Sequence, residues 1–126
     1  MTISIDNPPT IAWTGEEIEI IDQTLLPEEL KVIRLKTVDQ VVDAIKRLAI
    51  RGAPAIGACG AYGVVVAIDR IASDEVDQVI SEMNEAATTI GETRPTAVNL
   101  SYAVGRVQKT ASEGKSKEEI RELALI

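Results

Sequence analysis

The sequence predicts an α+β fold in which a small three-stranded antiparallel sheet is followed by a helical bundle. Three observations carry this reading. The first 36 residues hold three short β-rich runs separated by turn residues, whereas after Lys36 the apolar period changes from two to about 3.6. There is no Phe among the 126 residues, so Trp13, Tyr62 and Tyr102 are the only large rings, and a core of Ile, Val, Leu and Ala suits closely packed helices.

Residues 1–10, with Asn7-Pro8-Pro9, read as an irregular arm. Strands are expected at Ile11 to Trp13, at Glu17 to Ile21 with its period-two alternation, and at Lys31 to Leu35. Thr14-Gly15 supplies the first turn, and Leu26-Pro27-Glu28-Glu29 separates the second strand from the third. A first helix opens at Thr37, whose spacing to Gln40 is that of a capping box, and runs to about Ile50. Its apolar stripe is Val38, Val41, Val42, Ile45, Leu48 and Ala49, with Asp39, Asp43, Lys46 and Arg47 away from it. Arg51-Gly52-Ala53-Pro54 then breaks the chain, and Pro54 suits the first position of a second helix reaching about Ile71. Ser73-Asp74-Glu75 opens a third helix that Gly91 closes. Thr93-Arg94-Pro95 opens a fourth that ends before Gly114. Ser116 and Glu119 repeat the capping-box spacing, and the apolar face of Ile120, Leu123, Ala124 and Ile126 stops without a C-cap, which reads as a truncated chain. Residues 1–36 (arm and sheet) and 37–126 (bundle) are expected to form one domain.

Composition excludes several functions. With 13 basic and 20 acidic residues the net charge is −7, and no aromatic residues interleave with a basic stretch, so a nucleic-acid partner is not expected. The zero count of His and the single Cys59 exclude a Ser-His-Asp or Cys-His relay, a Cys/His zinc site and an internal disulfide. Residence in the cytoplasm is the default expectation, since the N-terminus lacks a basic stretch followed by an apolar one. The uncharged run from Ala53 to Ile68 falls short of the roughly 20 residues of a membrane span and contains Pro54 and three glycines, so no membrane partner is expected.

Two arginines stand where helix physics disfavours them, just before the helix starts at Arg51-Gly52-Ala53-Pro54 and Thr93-Arg94-Pro95-Thr96. A helix N-terminus carries unpaired N–H groups and a partial positive charge, so a neighbouring cation costs about 0.3–1 kcal/mol unless an anion shares the site. Such an arrangement suits a phosphate, and Gly52 lets the backbone approach a ligand. The plainer alternative pairs both arginines with surface carboxylates. Gly57, Gly60 and Gly63 recur every third residue and imply close approach of a neighbouring helix; no Gly-Lys-Ser/Thr ending makes them a nucleotide loop. Cys59 lies in this small-residue helix without a basic neighbour and reads as a packing residue, Asp22 as a turn or capping group, and Trp13 and Tyr62 as core filling.

Three segments carry a family resemblance: Ile21-Asp22-Gln23-Thr24-Leu25-Leu26-Pro27, the stretch from Thr37 to Arg51-Gly52-Ala53-Pro54-Ala55-Ile56-Gly57, and Thr93-Arg94-Pro95-Thr96-Ala97-Val98-Asn99-Leu100. In order and spacing they resemble the N-terminal domain of the methylthioribose-1-phosphate isomerases. That family also holds the archaeal ribose-1,5-bisphosphate isomerases and the regulatory subunits of translation initiation factor 2B. The resemblance implies a two-domain protein whose Rossmann-like C-terminal domain is absent here, assembled as a homodimer, with a sugar phosphate bound between its domains. It implies that Arg51, Gly52, Ala53 and Arg94 bind substrate. It also implies an aldose–ketose isomerisation of 5-methylthioribose 1-phosphate in methionine salvage, with no metal or nucleotide cofactor. The catalytic cysteine and aspartate of the family belong to the C-terminal domain, so no catalytic residue is expected in this chain and the chain alone is expected to be inactive. An initiation-factor-like interaction role and ribose-1,5-bisphosphate isomerisation stand as the alternatives.

Overall fold

A computed structural model describes residues 11–25, 28–47, 49–50, 52–94 and 98–125. The sheet comprises β1 (Ile11–Trp13), β2 (Ile18–Ile21) and β3 (Val32–Leu35), in that spatial order and antiparallel throughout. Ile11 pairs with Ile20 and Trp13 with Ile18, while Ile18 pairs with Leu35 and Glu19 with Arg34. The helices among the described residues are α1 (Val38–Lys46), α2 (Ala53–Arg70), α3 (Val76–Gly91), α4 (Val98–Ala111) and α5 (Lys117–Ala124). A sheet followed by a helical bundle is the architecture the pattern predicts. The expected arm, Leu26-Pro27, the Leu48 contact, Arg51, Pro95-Thr96-Ala97 and Ile126 lie outside the described residues.

Thr14 sets the β1–β2 turn, its hydroxyl oxygen accepting from the Glu17 N–H at 3.0 Å, and Gly15 takes a φ of +105°, which a side chain rarely tolerates. The alternation expected in β2 does not reach the surface. Ile18 and Ile20 are fully buried, yet Glu19 and Ile21 on the other face are buried too. Glu19 tolerates burial because Arg34, its register partner, lies 3.3 Å from its carboxylate.

At both capping-box spacings the cap hydroxyl takes its expected N–H, while the returning side chain takes the N–H one residue before the cap. The Thr37 hydroxyl accepts from the Gln40 N–H at 3.2 Å while the Gln40 amide oxygen accepts from the Lys36 N–H. Ser116 and Glu119 repeat this at α5, with Glu119 reaching the Lys115 N–H at 3.1 Å. Helix α1 stops at Lys46, four residues before the expected end at Ile50. The Ala49 N–H bonds back to the Ala44 carbonyl, and the Ala49 carbonyl is taken by the Gln23 N–H at 2.8 Å. A bond to the sheet corner thus replaces the last turn of helix. Helix α3 likewise starts at Val76 rather than directly after Ser73, whose hydroxyl accepts from the Glu75 N–H instead.

Helix α2 is the centre of the bundle, and its small residues explain how. A Cβ on Gly57 would lie 3.2 Å from the Asn99 carbonyl oxygen and 3.5 Å from Ala103; one on Gly60 would overlap Leu100 Cδ1 and sit 3.1 Å from Val104. The glycines therefore admit α4, as their spacing implies. Gly63 admits Val41 of α1 and Ile90 of α3. Trp13 and Tyr62 stack with ring centroids 4.9 Å apart and planes 4° from parallel, joining β1 to α2. Both remain half-buried, so they clasp the edge of the core rather than fill it, and the fully buried volume belongs to Ile, Leu, Val and Met83.

Candidate functional site

The chain enters α2 through Gly52, which has φ +91° and ψ 129°. Among the described residues, its chain neighbours aside, no atom lies within 4 Å of where its Cβ would stand, so glycine is required here by backbone conformation rather than by crowding. Gly52 makes no side-chain cap to the helix, and Pro54 removes one of the first-turn N–H groups. Among the described residues no side-chain hydrogen bond caps this end of the helix.

Helices α2 and α4 run in the same direction, because α3 packs antiparallel to each between them in sequence. The Gln108–Asn84 hydrogen bond at 3.0 Å joins α4 to α3, and Lys117, the first residue of α5 beyond the α4 C-terminus, donates to the Ile71 carbonyl at the far end of α2. Their N-termini accordingly share one end of the bundle, with Gly57 against Asn99 marking the close approach. Val98 and Asn99 are exposed there.

Arg94 sits at this end, half-buried, three residues after α3 closes at Gly91. Among the described residues no carboxylate pairs with it. The surface-carboxylate alternative is thus unsupported for Arg94, although its place beyond the C-terminus of α3 offsets part of the cost of standing before α4. Gly52 and Arg94 belong to the same end of the bundle; Arg51 and the Ala53 side chain lie outside the described residues.

A polar cluster joins the end of β2 to the end of α1. Asp22, 5 % exposed, follows β2 and accepts from the Thr24 N–H at 3.0 Å and the Thr24 hydroxyl at 2.6 Å through Oδ1. This is the turn role expected of it. Its Oδ2 also accepts from Arg47 Nη1 at 3.0 Å, and Arg47 Nε donates to Asp43 at 2.9 Å. Sequence reasoning placed Arg47 only on the polar face of α1 and missed this pair, since no local pattern links residues 25 apart. Burial pushes the Asp22 carboxyl up, but the hydrogen bonds from Thr24 and Arg47 outweigh it and hold the group below its ordinary 3.8.

A depressed carboxyl stabilises the folded state at pH values above its unfolded range, and that stability is lost as pH falls through the folded value. The stability gap between the native chain and Asp22→Asn is therefore expected to be full at neutral pH and to shrink below pH 3.8. Urea unfolding of both proteins from neutral to acid pH measures it; a gap independent of pH would contradict the assignment.

Cys59 is fully buried in α2, and burial alone pushes its thiol up to about 12, so it is inert packing, as read from the sequence. Among the described residues no cluster of three or more Cys, Asp or Glu could hold a metal. No described helix is long and apolar enough to cross a membrane. A cleft of about 290 Å³ opens between α2, α4 and α5, lined by Tyr62, Tyr102, Arg106 and Leu123; of the expected site residues that are described, neither Gly52 nor Arg94 lines it.

The fold is an α+β domain in which two helix starts share one end with Arg94, which has no carboxylate partner among the described residues. The chain belongs to the initiation factor 2 subunit family, whose model matches residues 49–125. It is similar to the methylthioribose-1-phosphate isomerase of Acaryochloris marina, 40 % identical over 114 residues that cover 90 % of this chain and 32 % of that protein. Among solved structures it is similar to 5-methylthioribose 1-phosphate isomerase from Pyrococcus horikoshii, with a TM-score of 0.88 and 33 % identity over 94 % of this chain and 34 % of that one. It is also similar to the subunit delta of translation initiation factor eIF-2B from A. fulgidus, with a TM-score of 0.87 and 45 % identity over 92 % of this chain and 34 % of that one. The chain spans about a third of the length of these relatives.

Proposed function

We propose that this chain is the N-terminal substrate-binding part of a sugar-phosphate aldose–ketose isomerase, the whole protein converting 5-methylthioribose 1-phosphate to 5-methylthioribulose 1-phosphate. The observation that carries the reading is the pairing of the α2 and α4 N-termini at one end of the bundle, with Gly52 at φ +91° and Arg94 without a carboxylate partner among the described residues. Relatives bearing the isomerase name support it. In this reading Arg51, Gly52, Ala53 and Arg94 grip the phosphate and sugar hydroxyls. The arginines supply charge, and the backbone N–H groups of the helix starts supply directed donors.

Catalysis then falls to groups outside the chain. Isomerisation needs an acid–base group at the sugar carbons, and the buried Cys59 thiol, held near 12, supplies none. Residues 1–36 and 37–126 act as one domain, packed in the whole protein against a C-terminal domain within a cytoplasmic homodimer. An interaction role of the initiation-factor kind is the second reading, favoured by the likeness to the eIF-2B subunit delta structure. An interaction surface has no need of an unpaired arginine beside two helix starts, which is why the isomerase reading stands first.

Two assays test the proposal. Calorimetry with ribose 1-phosphate is expected to show saturable binding weakened at least about tenfold in Arg94→Ala, in line with about 1.5–3 kcal/mol for a hydrogen bond to a charged group. Incubation of the 126-residue chain with 5-methylthioribose 1-phosphate is expected to yield no ketose. Binding that Arg94→Ala leaves unchanged contradicts the site, and turnover contradicts the placement of catalysis.

A further inference from the structure

The outer side of the α4–α5 hairpin presents an ordered set of exposed groups. On α4, Tyr102 is 71 % exposed, and Gly105, Arg106 and Lys109 stand exposed within two turns of it. Offsets of three, four and seven residues put them on one helix face, opposite the buried Leu100, Val104 and Ala111. On α5, Glu118, Glu122 and Leu125 recur at the same helical spacing, all exposed and opposite the buried Ile120 and Ala124. Among the described residues no ion pair engages Arg106, Lys109, Glu118 or Glu122. Gly57, Gly60 and Gly63 are each explained by a packed neighbour, whereas a Cβ on Gly105, equally costly within a helix, would meet nothing among the described residues.

Charge is graded along both helices. Helix α4 holds no acid; its ring at Tyr102 comes first and its cations, Arg106 and Lys109, come last. Helix α5 runs back along it, from Lys117 at the Ile71 carbonyl to Leu125, which lines the same cleft as Tyr102. It carries its acids first, at Glu118 and Glu122, and its apolar group last. Two such hairpins related by a two-fold axis parallel to the helices set α4 of one antiparallel to α5 of the other. In that alignment Arg106 and Lys109 meet the acidic start of the second copy's α5, and Tyr102 meets its Leu125.

We propose that the outer face of α4 and α5 is a self-docking surface on which a second copy of this chain packs as a four-helix layer, with Arg106 and Lys109 of each copy facing Glu118 and Glu122 of the other. The same face serves both copies, so assembly closes at two chains. Neither Gly52 nor Arg94 belongs to this face, and the surface stands independently of the sugar-phosphate reading.

Sedimentation equilibrium of the chain at rising concentration is expected to move from one chain mass to two and no further. Arg106→Glu and Glu122→Lys, both at exposed positions, are each expected to weaken the dimer at least about tenfold. The two changes shift the net charge in opposite directions, so loss in both reports the local pairing rather than overall repulsion. The double variant Arg106→Glu/Glu122→Lys is expected to recover most of the affinity, because the exchanged charges again face each other across the two-fold. Far-UV circular dichroism matching the unaltered chain establishes that each variant is folded. A monomer at every concentration up to about 1 mM overturns the surface and leaves the face to another occupant. A dimer that either single variant leaves intact, or that the double variant does not recover, overturns the alignment, and growth beyond two chains overturns the two-fold closure.

Discussion

Gly114→Ala is expected to lower the free energy of unfolding by about 3 kcal/mol, at the upper end of what overpacking costs. Gly114 is buried where the chain turns from α4 into α5. A Cβ there would lie 2.7 Å from the Ile120 nitrogen and 2.8 Å from its Cα. These are backbone atoms of α5, so no side-chain rotation relieves the overlap and the helix itself must shift. That shift pulls Ile120 from full burial and strains the Arg121–Asp69 ion pair and the bond from Arg121 to the Gly15 carbonyl, which tie α5 to α2 and to the β1–β2 turn. Urea unfolding measures the loss; a change under about 0.5 kcal/mol, the scale of an ordinary surface substitution, would contradict the packing.

Gly60→Val is expected to cost a similar amount for a different reason. The Cβ overlaps Leu100 Cδ1 and crowds Val104, both buried, and the added methyls drive α4 away from α2. Gly105, also within a helix, gives the opposite result. Among the described residues nothing stands within 4 Å of its Cβ position, so Gly105→Ala gains helix propensity without a clash and is expected to stabilise the chain by about 0.5–1 kcal/mol. The contrast in sign between two helical glycines, read from the same unfolding curves, isolates packing from propensity.

Much of this fold is written in local patterns. The Thr37-to-Gln40 and Ser116-to-Glu119 spacings specify helix starts through bonds within four residues, and both form. The recurrence of Gly57, Gly60 and Gly63 likewise reports a neighbour's approach, because helical glycine is costly without one. What depends on distant partners is not legible. Helix α1 stops early because the Ala49 carbonyl has a better partner at Gln23, and Glu19 is buried because Arg34 faces it from β3. At the candidate site, the anomaly of an arginine before a helix start was visible for Arg51 and Arg94. The parallel course of α2 and α4, which brings two such starts to one end, is a property of the packed bundle, as is the link from Asp22 to Arg47.

The most direct measurement of the central claim is an amide-resolved titration of the chain with ribose 1-phosphate, beside Arg94→Ala. Saturable shifts are expected, concentrated at Gly52 and Asn99, the two helix starts, and lost over the same concentration range in Arg94→Ala. Shifts confined to the cleft around Tyr102 and Leu123, or none at any concentration, would contradict it.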